Sequence, residues 1–359
     1  MPRSRVSTIL VVSVFFLLLQ SLSHAQKIIT GPGPGAGPHV KVFDGQSNGE
    51  IVNFLAYGSS FTGGVRVAAG DVNGDGIADI VTAPGQGGGP HVKVFNGTTS
   101  SELLSFFAYP GFQGGIFVAT GDINNDGSAD IITGADAGAG PHVKVFNGQS
   151  GTEVRSFFAY SPQFTGGVRV AGGDINGDGF DDIITGAGAT EAGTGGGPHV
   201  KVFDGFTGSE VRSFFAFPAF TGGVFVAGGD VNNDGNDDIV TGAGAGGGPH
   251  VKVFDGLTGG EIRRFFAYPA KFSGGVRVAA GDVNGDGFAD IITGPGPGGG
   301  PHVKVFDGKT GSELNSFLAY GPGSVDQIFV ALAPRIPEPG IGLMFAWLVA
   351  GGWWRGRSS

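Results

Sequence analysis

Residues 89–95 read Gly-Pro-His-Val-Lys-Val-Phe, and the same seven residues occur six times along the chain. The histidines stand at 39, 91, 142, 199, 250 and 302, 51 or 52 residues apart except for one interval of 57. The longer interval carries an insertion around Ala189-Thr190-Glu191-Ala192. A second string of the form Phe-Phe-Ala-Tyr ends near Tyr57, Tyr109, Tyr160, Phe217, Tyr268 and Tyr320. A fixed period of this length means one supersecondary unit multiplied. Each unit contains four stretches with strand character, in the second unit Val65–Ala69, Asp79–Thr82, His91–Phe95 and Leu103–Tyr109. Gly-rich segments and Asn-Gly or Asp-Gly turns separate them. Four strands in about 50 residues is the size of a propeller blade.

The ends of the repeat array choose between a ring and an open stack. Lys27-Ile28-Ile29-Thr30 matches the second strand of a unit, so the first unit lacks its first strand. Gln327-Ile328-Phe329-Val330-Ala331 matches Val65-Arg66-Val67-Ala68 in form and can supply it. The fold class expected is therefore all-β, a six-bladed β-propeller of four-stranded blades closed by pairing of the N- and C-terminal strands, which leaves no open edge. A stacked solenoid would need polar caps instead. The second residue of the first strand alternates as Arg66, Phe117, Arg169, Phe225, Arg277 and Phe329. A period of two closes on six blades and not on seven. If these strands are innermost, Arg and Phe alternate around the channel, either as cation–π packing or as a three-Arg anion site.

Composition agrees with a turn-dense β protein. Gly accounts for 73 of 359 residues, only 14% are charged, and Cys is absent. Long helices are disfavoured, since an interior Gly costs about 0.5–1 kcal/mol relative to Ala. Without Cys there are no disulfides to staple the loops. The formal charge of −10 argues against nucleic acid as a partner.

The chemistry-bearing string is Asp-x-Asn-x-Asp-Gly-x-x-Asp, present five times. Asp71, Asn73, Asp75 and Asp79 occupy positions 1, 3, 5 and 9 around Gly76. The set returns as Asp122, Asn124, Asp126 and Asp130, and again as Asp174, Asn176, Asp178 and Asp182. Two more copies are Asp230, Asn232, Asp234 and Asp238, and Asp282, Asn284, Asp286 and Asp290. Alternate oxygen side chains about a sharp Gly turn gather hard oxygens at one point, as Ca²⁺ requires with its 6–8 ligands, so about five Ca²⁺ sites are expected. Mg²⁺ would demand a tighter octahedron. Position 12 is Thr in every copy and strands flank the loop, which excludes an EF-hand.

The stretch Gly-Asp-Val-Asn-Gly-Asp-Gly-Ile-Ala-Asp-Ile-Val-Thr-Ala-Pro-Gly (70–85) resembles the FG-GAP repeat of integrin α-chain propellers and the related bacterial VCBS repeats. The resemblance implies that the Asp/Asn loop binds calcium between the first two strands of a blade, at the twenty positions above. Integrin propellers have seven blades and this chain counts six. The Gly-Ala-Pro element survives only loosely, so integrin ligand recognition does not transfer.

Both ends read as processing segments. Arg3 and Arg5 precede an apolar run over 9–19 and the small-residue site Ser23-His24-Ala25, which gives a signal peptide over 1–25. The propeller follows at 26–333. Residues 334–359 hold Pro337-Glu338-Pro339, an apolar run to Trp354, and Arg355 and Arg357. That order resembles the PEP-CTERM sorting tail of Gram-negative bacteria, which implies an exosortase-type processing enzyme and transient membrane association. The expected protein is an exported monomer at the cell surface or in the extracellular matrix. It would be a binding module for polysaccharide or a surface protein, with a polysaccharide-active enzyme or a passive matrix component as alternatives. The repeated His reads as packing, because catalysis needs an asymmetric constellation. Single-copy polar residues are few, namely Asp136, Glu191, Lys271 and Asp326.

Overall fold

The computed structural model describes residues 26–189 and 197–334. The leader expected over 1–25, the tail beyond 334 and the insertion at 190–196 lie outside the described residues. The described chain forms 24 strands, β1 to β24, in six sheets of four antiparallel strands and contains no helix. In the second blade these are β4 (Val65–Gly70), β5 (Asp79–Pro84), β6 (His91–Phe95) and β7 (Glu102–Phe107). β7 stops two residues before the strand expected from sequence, because Tyr109 turns out of the sheet to reach Thr133 and His142 of the third blade.

The ring closes as the terminal strings require. β1 (Lys27–Pro32) pairs antiparallel with β24 (Ile328–Leu332), with Ile28 opposite Leu332 and Pro32 opposite Ile328. The first blade is thus built from both ends of the array, in the order β24-β1-β2-β3, with β2 at His39–Asp44 and β3 at Glu50–Leu55. The first strand of each blade touches the first strands of both neighbours, which places it innermost.

Burial falls off from the axis outward. β4 and β5 are buried at every residue, whereas β7 alternates exposed and half-buried positions. Aliphatic residues of first, second and third strands pack between blades, as do Ile292, Val303 and Val305 against Ile28, Ile328 and Val330. Blades approach closely because Gly134 faces the next blade's Val168; a Cβ there would lie 2.4 Å from that carbonyl oxygen. In β2, Val40 and Val42 are buried while His39 and Lys41 face outward, as alternation predicts. Phe43 departs from it: the register shifts between Val42 and Phe43, and Phe43 is buried against Phe317 of the sixth blade.

Three repeated side-chain ties hold the blades. Within each blade the string's Lys pairs with a Glu of the outer strand, as Lys93 does with Glu102 at 2.6 Å. Half-exposed pairs like these contribute at most about 1 kcal/mol each. Its His is held by packing and hydrogen bonding: His91 bonds Ser105 at 2.8 Å and stacks on Phe107 at 4.5 Å. Between blades, the phenols of Tyr57, Tyr109, Tyr160, Tyr268 and Tyr320 donate to the next blade's His carbonyl at 2.7–2.9 Å. Burial pushes all five phenols well above the usual tyrosine range. At the sixth junction Phe217 stands in place of Tyr and leaves the His250 carbonyl without that donor.

On the axis, Arg66, Arg169 and Arg277 alternate with Phe117, Phe225 and Phe329. Each guanidinium lies between two rings, with Cζ-to-centroid distances from 4.1 to 5.6 Å. Phe117 meets Phe225 and Phe329 edge-on at 6.3 and 6.4 Å. The cation–π reading of the alternation is therefore realised, each such contact stabilising by about 0.5–2 kcal/mol.

Phe217→Tyr should raise unfolding free energy by about 1 kcal/mol, and Tyr320→Phe should lower it by about 1–2 kcal/mol. Urea midpoints measure both; unchanged midpoints would show that the phenol latch contributes nothing.

Candidate functional site

The five Asp/Asn loops join the first and second strands of blades two to six, where a two-strand connection must reverse within eight residues. Position 1 organises the turn: Asp71 accepts backbone N–H groups from Gly74, Asp75 and Gly76 at 2.8, 3.0 and 2.8 Å. Asp174 does the same for Gly177, Asp178 and Gly179, and Asp282 for Gly285, Asp286 and Gly287. Asp122 and Asp230 accept from positions 5 and 6 of their loops. Asn73, Asn124, Asn176 and Asn284 accept from position 5 of their loops at 2.8–2.9 Å. Asp75 at position 5 accepts from Ile77, and Asp126, Asp178, Asp234 and Asp286 act likewise. Position 4 is left-handed in every loop, φ +54 to +75° at the four sites Gly74, Asn125, Gly177 and Asn233 and +85° at Gly285. Gly and Asn are the residues that tolerate this conformation, which accounts for the alternation of Asn-Gly with Asn-Asn.

Position 9 stands at the foot of the second strand and is bonded back to its own loop in three blades, where the N–H groups of Ile175, Val231 and Val283 donate to Asp182, Asp238 and Asp290 at 2.9–3.1 Å. Asp79, Asp130, Asp182, Asp238 and Asp290 are each fully buried. Burial, the largest cause in every case, pushes their carboxyls up to about 6, 7, 7, 6 and 6 respectively. Neighbouring loop carboxylates add to the rise, as Asp75 and Asp71 do at Asp79. Backbone donors from the turn after the third strand oppose it; Gly205 donates to Asp182 at 2.9 Å and Gly308 to Asp290 at 2.9 Å.

Two sets of acids escaped the sequence reading. Asp204, Asp255 and Asp307 follow the third strand and accept from the loop amides of Asn176, Asn232 and Asn284 at 3.1–3.2 Å. Their signal was the recurrent Phe-Asp-Gly at the end of that strand. Asp181 and Asp237 replace the Ala found at position 8 elsewhere, so the Asp-Asp doublets were the clue. Asp181 accepts the backbone N–H of Asp122 in the preceding blade at 2.7 Å. Burial first, and then neighbouring acids, raises Asp181 to about 6 and Asp237 to about 7.

The loops are also joined to one another. Position 8 of each donates to the position-1 carbonyl of the preceding loop: Ala129 to Asp71, Asp181 to Asp122, Asp237 to Asp174 and Ala289 to Asp230, at 2.7–3.0 Å. They form an arc at one mouth of the channel. Behind it lies a cavity of 540 Å³, walled by Val67, Val118, Val170, Val226, Val278 and Val330 and stopping short of the Arg/Phe layer.

Among the described residues no three His, Cys, Asp or Glu side chains converge as a ready-made metal cage. The position-1 carboxylates are turned onto backbone N–H groups and position 9 stands back in the strand. The donor set nonetheless fits a hard dication. Asp79 Oδ2, both oxygens of Asp130 and Asn232 Oδ1 are buried without any hydrogen-bond partner, an arrangement that costs stability unless something positive or donating meets them. Of the single-copy polar residues that are described, Asp136 is bound to Arg66, Asp326 accepts from Gly298, and Lys271 is exposed. Glu191 lies outside the described residues.

Residues 63–98 match the FG-GAP repeat, and residues 122–185 and 230–293 match the FG-GAP-like repeat. The matched segments fall in blades two to six. Integrin alpha-8 of Gallus gallus is 28% identical over 148 residues, which cover 34% of this chain and 14% of that protein. The chain therefore corresponds to a small part of that relative. Among solved structures, the Nidogen/Laminin complex contains a chain that superposes with a TM-score of 0.55 at 8% identity, over 86% of this chain and 99% of that one. A protein of unknown function from Bacteroides caccae superposes with a TM-score of 0.50 at 14% identity, over 88% of this chain and 100% of that one. Both are likenesses of fold alone.

The raised position-9 carboxyls fix a pH dependence for the metal-free protein. Between the ordinary aspartate value of 3.8 and folded values of about 6–7, the folded state holds more protons than the unfolded one. Stability should fall as pH rises through that window. Melting in chelator should therefore occur at lower temperature at pH 7.5 than at pH 5; the opposite order would contradict the burial of position 9.

Proposed function

We propose that this chain is an exported, calcium-binding propeller that serves as an adhesion or ligand-binding module for an extracellular polysaccharide or a surface protein. The observation that carries the reading is the fivefold loop with a fully buried carboxylate at position 9, two of which, Asp79 and Asp130, hold oxygens with no hydrogen-bond partner. Bound calcium would supply positive charge to three carboxylates crowded within nine residues. Positions 1, 3, 5 and 9 would hold it, with the position-7 carbonyl as a further oxygen. Position 1 already shapes the turn through three backbone N–H groups, so the loop is organised before a cation arrives. In a chain without disulfides, metal binding then becomes part of the folding free energy.

The FG-GAP match and the integrin relative support a binding rather than a catalytic role. The blades are near-identical in sequence, and the sequence signals at both ends support export to the cell surface. The tail reading supports processing by an exosortase-type enzyme after transient membrane association.

Chelation should lower the Tm of the purified protein by on the order of 10 °C, given about 2–4 °C per kcal/mol for a chain of this size. An unchanged melt would end the stapling role. Metal analysis should count about five calcium ions, and Asp174→Ala should leave four. Loss of all five would contradict separate sites. Calcium-dependent retention on one class of polysaccharide would establish the ligand type, whereas retention on none would move the partner to a surface protein.

A further inference from the structure

The Arg/Phe layer is symmetric in sequence and asymmetric in its hydrogen bonding. All three arginines leave Nε without a partner, held over the phenylalanine faces. They differ at the outer nitrogens. Arg66 donates through Nη2 to the carboxylate of Asp136 and through Nη1 to the Pro84 and Ile116 carbonyls at 3.2 Å. Arg277 donates through Nη2 to the side-chain carbonyl of Gln327. Arg169 has no hydrogen-bond acceptor among the described residues, and its Nη1 is buried as well as unpaired.

The cause can be read position by position. Asp136 stands in the loop after the second strand of the third blade, the neighbour of the Arg66 blade. Gln327 immediately precedes the first strand of the first blade, the neighbour of the Arg277 blade. In the fifth blade, the neighbour of the Arg169 blade, the corresponding residues are Gly244 and Gly223. Neither can offer a side-chain oxygen. Two of three equivalent arginines thus receive a planar acceptor from the next blade and the third receives none.

Charge points the same way. Three guanidiniums share one layer with a single carboxylate bonded among them. Burial, followed by repulsion from Arg169 and Arg66, drops Arg277 to about 9, and burial lowers Arg169 also. Arg66 and Arg277 are 8% exposed; Arg169 is half-buried as a residue, with its Nε and Nη1 closed off from solvent. Asp136 lies in the field of Arg169 as well as of Arg66 but is bonded only to Arg66, so Arg169 has no carboxylate of its own, and a bidentate carboxylate is the group whose geometry matches a guanidinium fork.

We propose that Arg169, flanked by Arg66 and Arg277, forms a carboxylate-binding site in the Arg/Phe layer of the channel, away from the Asp/Asn loops. The ligand is one carboxylate group, carried either by an acidic sugar or by a small free acid. The site does not depend on the calcium reading: chelation should leave it intact where the protein stays folded, and its loss would leave the metal count unchanged.

The test follows the arginine Nε–Hε resonances of the ¹⁵N-labelled protein during titration with D-galacturonate, acetate and neutral galactose. One arginine resonance is expected to move saturably with the two carboxylates and not with galactose. Arg169→Gln should abolish the effect. Asp136→Asn, which removes the competing negative charge, should tighten binding by about 3–10-fold. Galacturonate binding at least ~10-fold more tightly than acetate would assign the acidic sugar, and equal binding the free acid. The proposal is overturned if no arginine resonance saturates, or if the response survives in Arg169→Gln. Weaker binding in Asp136→Asn would overturn it as well and remains measurable should Arg169→Gln fail to fold. A silent wild type that binds only after Glu191→Gln would also overturn it, because the acceptor would then be the chain's own carboxylate.

Discussion

Everything in this ring depends on the pairing of residues 28–32 with residues 328–332. A four-stranded blade buries nothing on its own; its two faces are covered only by the blades on either side, and its inner edge only by the other inner strands. Closure converts six marginal sheets into one body without a free neighbour-facing surface. The backbone pairs of Ile28 with Leu332 through Pro32 with Ile328 perform that closure. The Tyr320 phenol, bonded to the Thr30 and His39 carbonyls, and the Asn48–Asn315 amide pair reinforce it farther from the axis. These contacts join residues almost 300 positions apart, so the chain must order most of its length before the last interface forms, and the loop-closure cost is met late in folding.

Closure brings five acidic loops to one mouth, and there the fold meets its main electrostatic problem. Four of the five loops bond their predecessor through position 8, so the carboxylates cannot spread apart to relieve repulsion. Position 9 is fixed in a buried strand. The two blades with Asp at position 8 add acids where Ala would have been neutral. Raised carboxyls are the response available to the protein alone; a bound dication is the response available with a partner. A rigid arc of oxygens suits the second, since little further ordering is required when the cation arrives.

Much of this was legible in the sequence because repetition separates signal from accident. One Asn-Gly-Asp-Gly is a turn, whereas five at one place in the period are a constraint. The missing first strand of the first unit is visible in the sequence, and β24 supplies it. Other features were illegible for identifiable reasons. The latch from each Tyr to the next blade's His carbonyl joins two strings that each look self-sufficient, and only the inter-blade geometry relates them. The bulge between Val42 and Phe43 leaves no mark in a strand pattern that alternates correctly up to that point. Asp204, Asp255 and Asp307 were hidden in an ordinary Phe-Asp-Gly turn, since nothing local says that the turn docks on a loop of the same blade.

Departures from the repeat carry the rest of the argument. In a molecule built by multiplication, a residue that occurs in every blade answers to packing, which is how Val67 and its five counterparts, or the stacked His and Lys of the third strand, are used. A residue that occurs once answers to something that packing does not explain. Asp136 and Gln327 are such residues, and each neutralises or caps one arginine of the axial layer. Had both been lost, all three guanidiniums would be equivalent and the layer simply cationic. Had a third been present at Gly244 or Gly223, the layer would be internally satisfied and closed to any ligand. The chain has two, which leaves one donor pair unspent at a defined place. Symmetry is broken at Arg169, which alone of the three finds no hydrogen-bond acceptor among the described residues, and on this scaffold that difference is as specific as a motif.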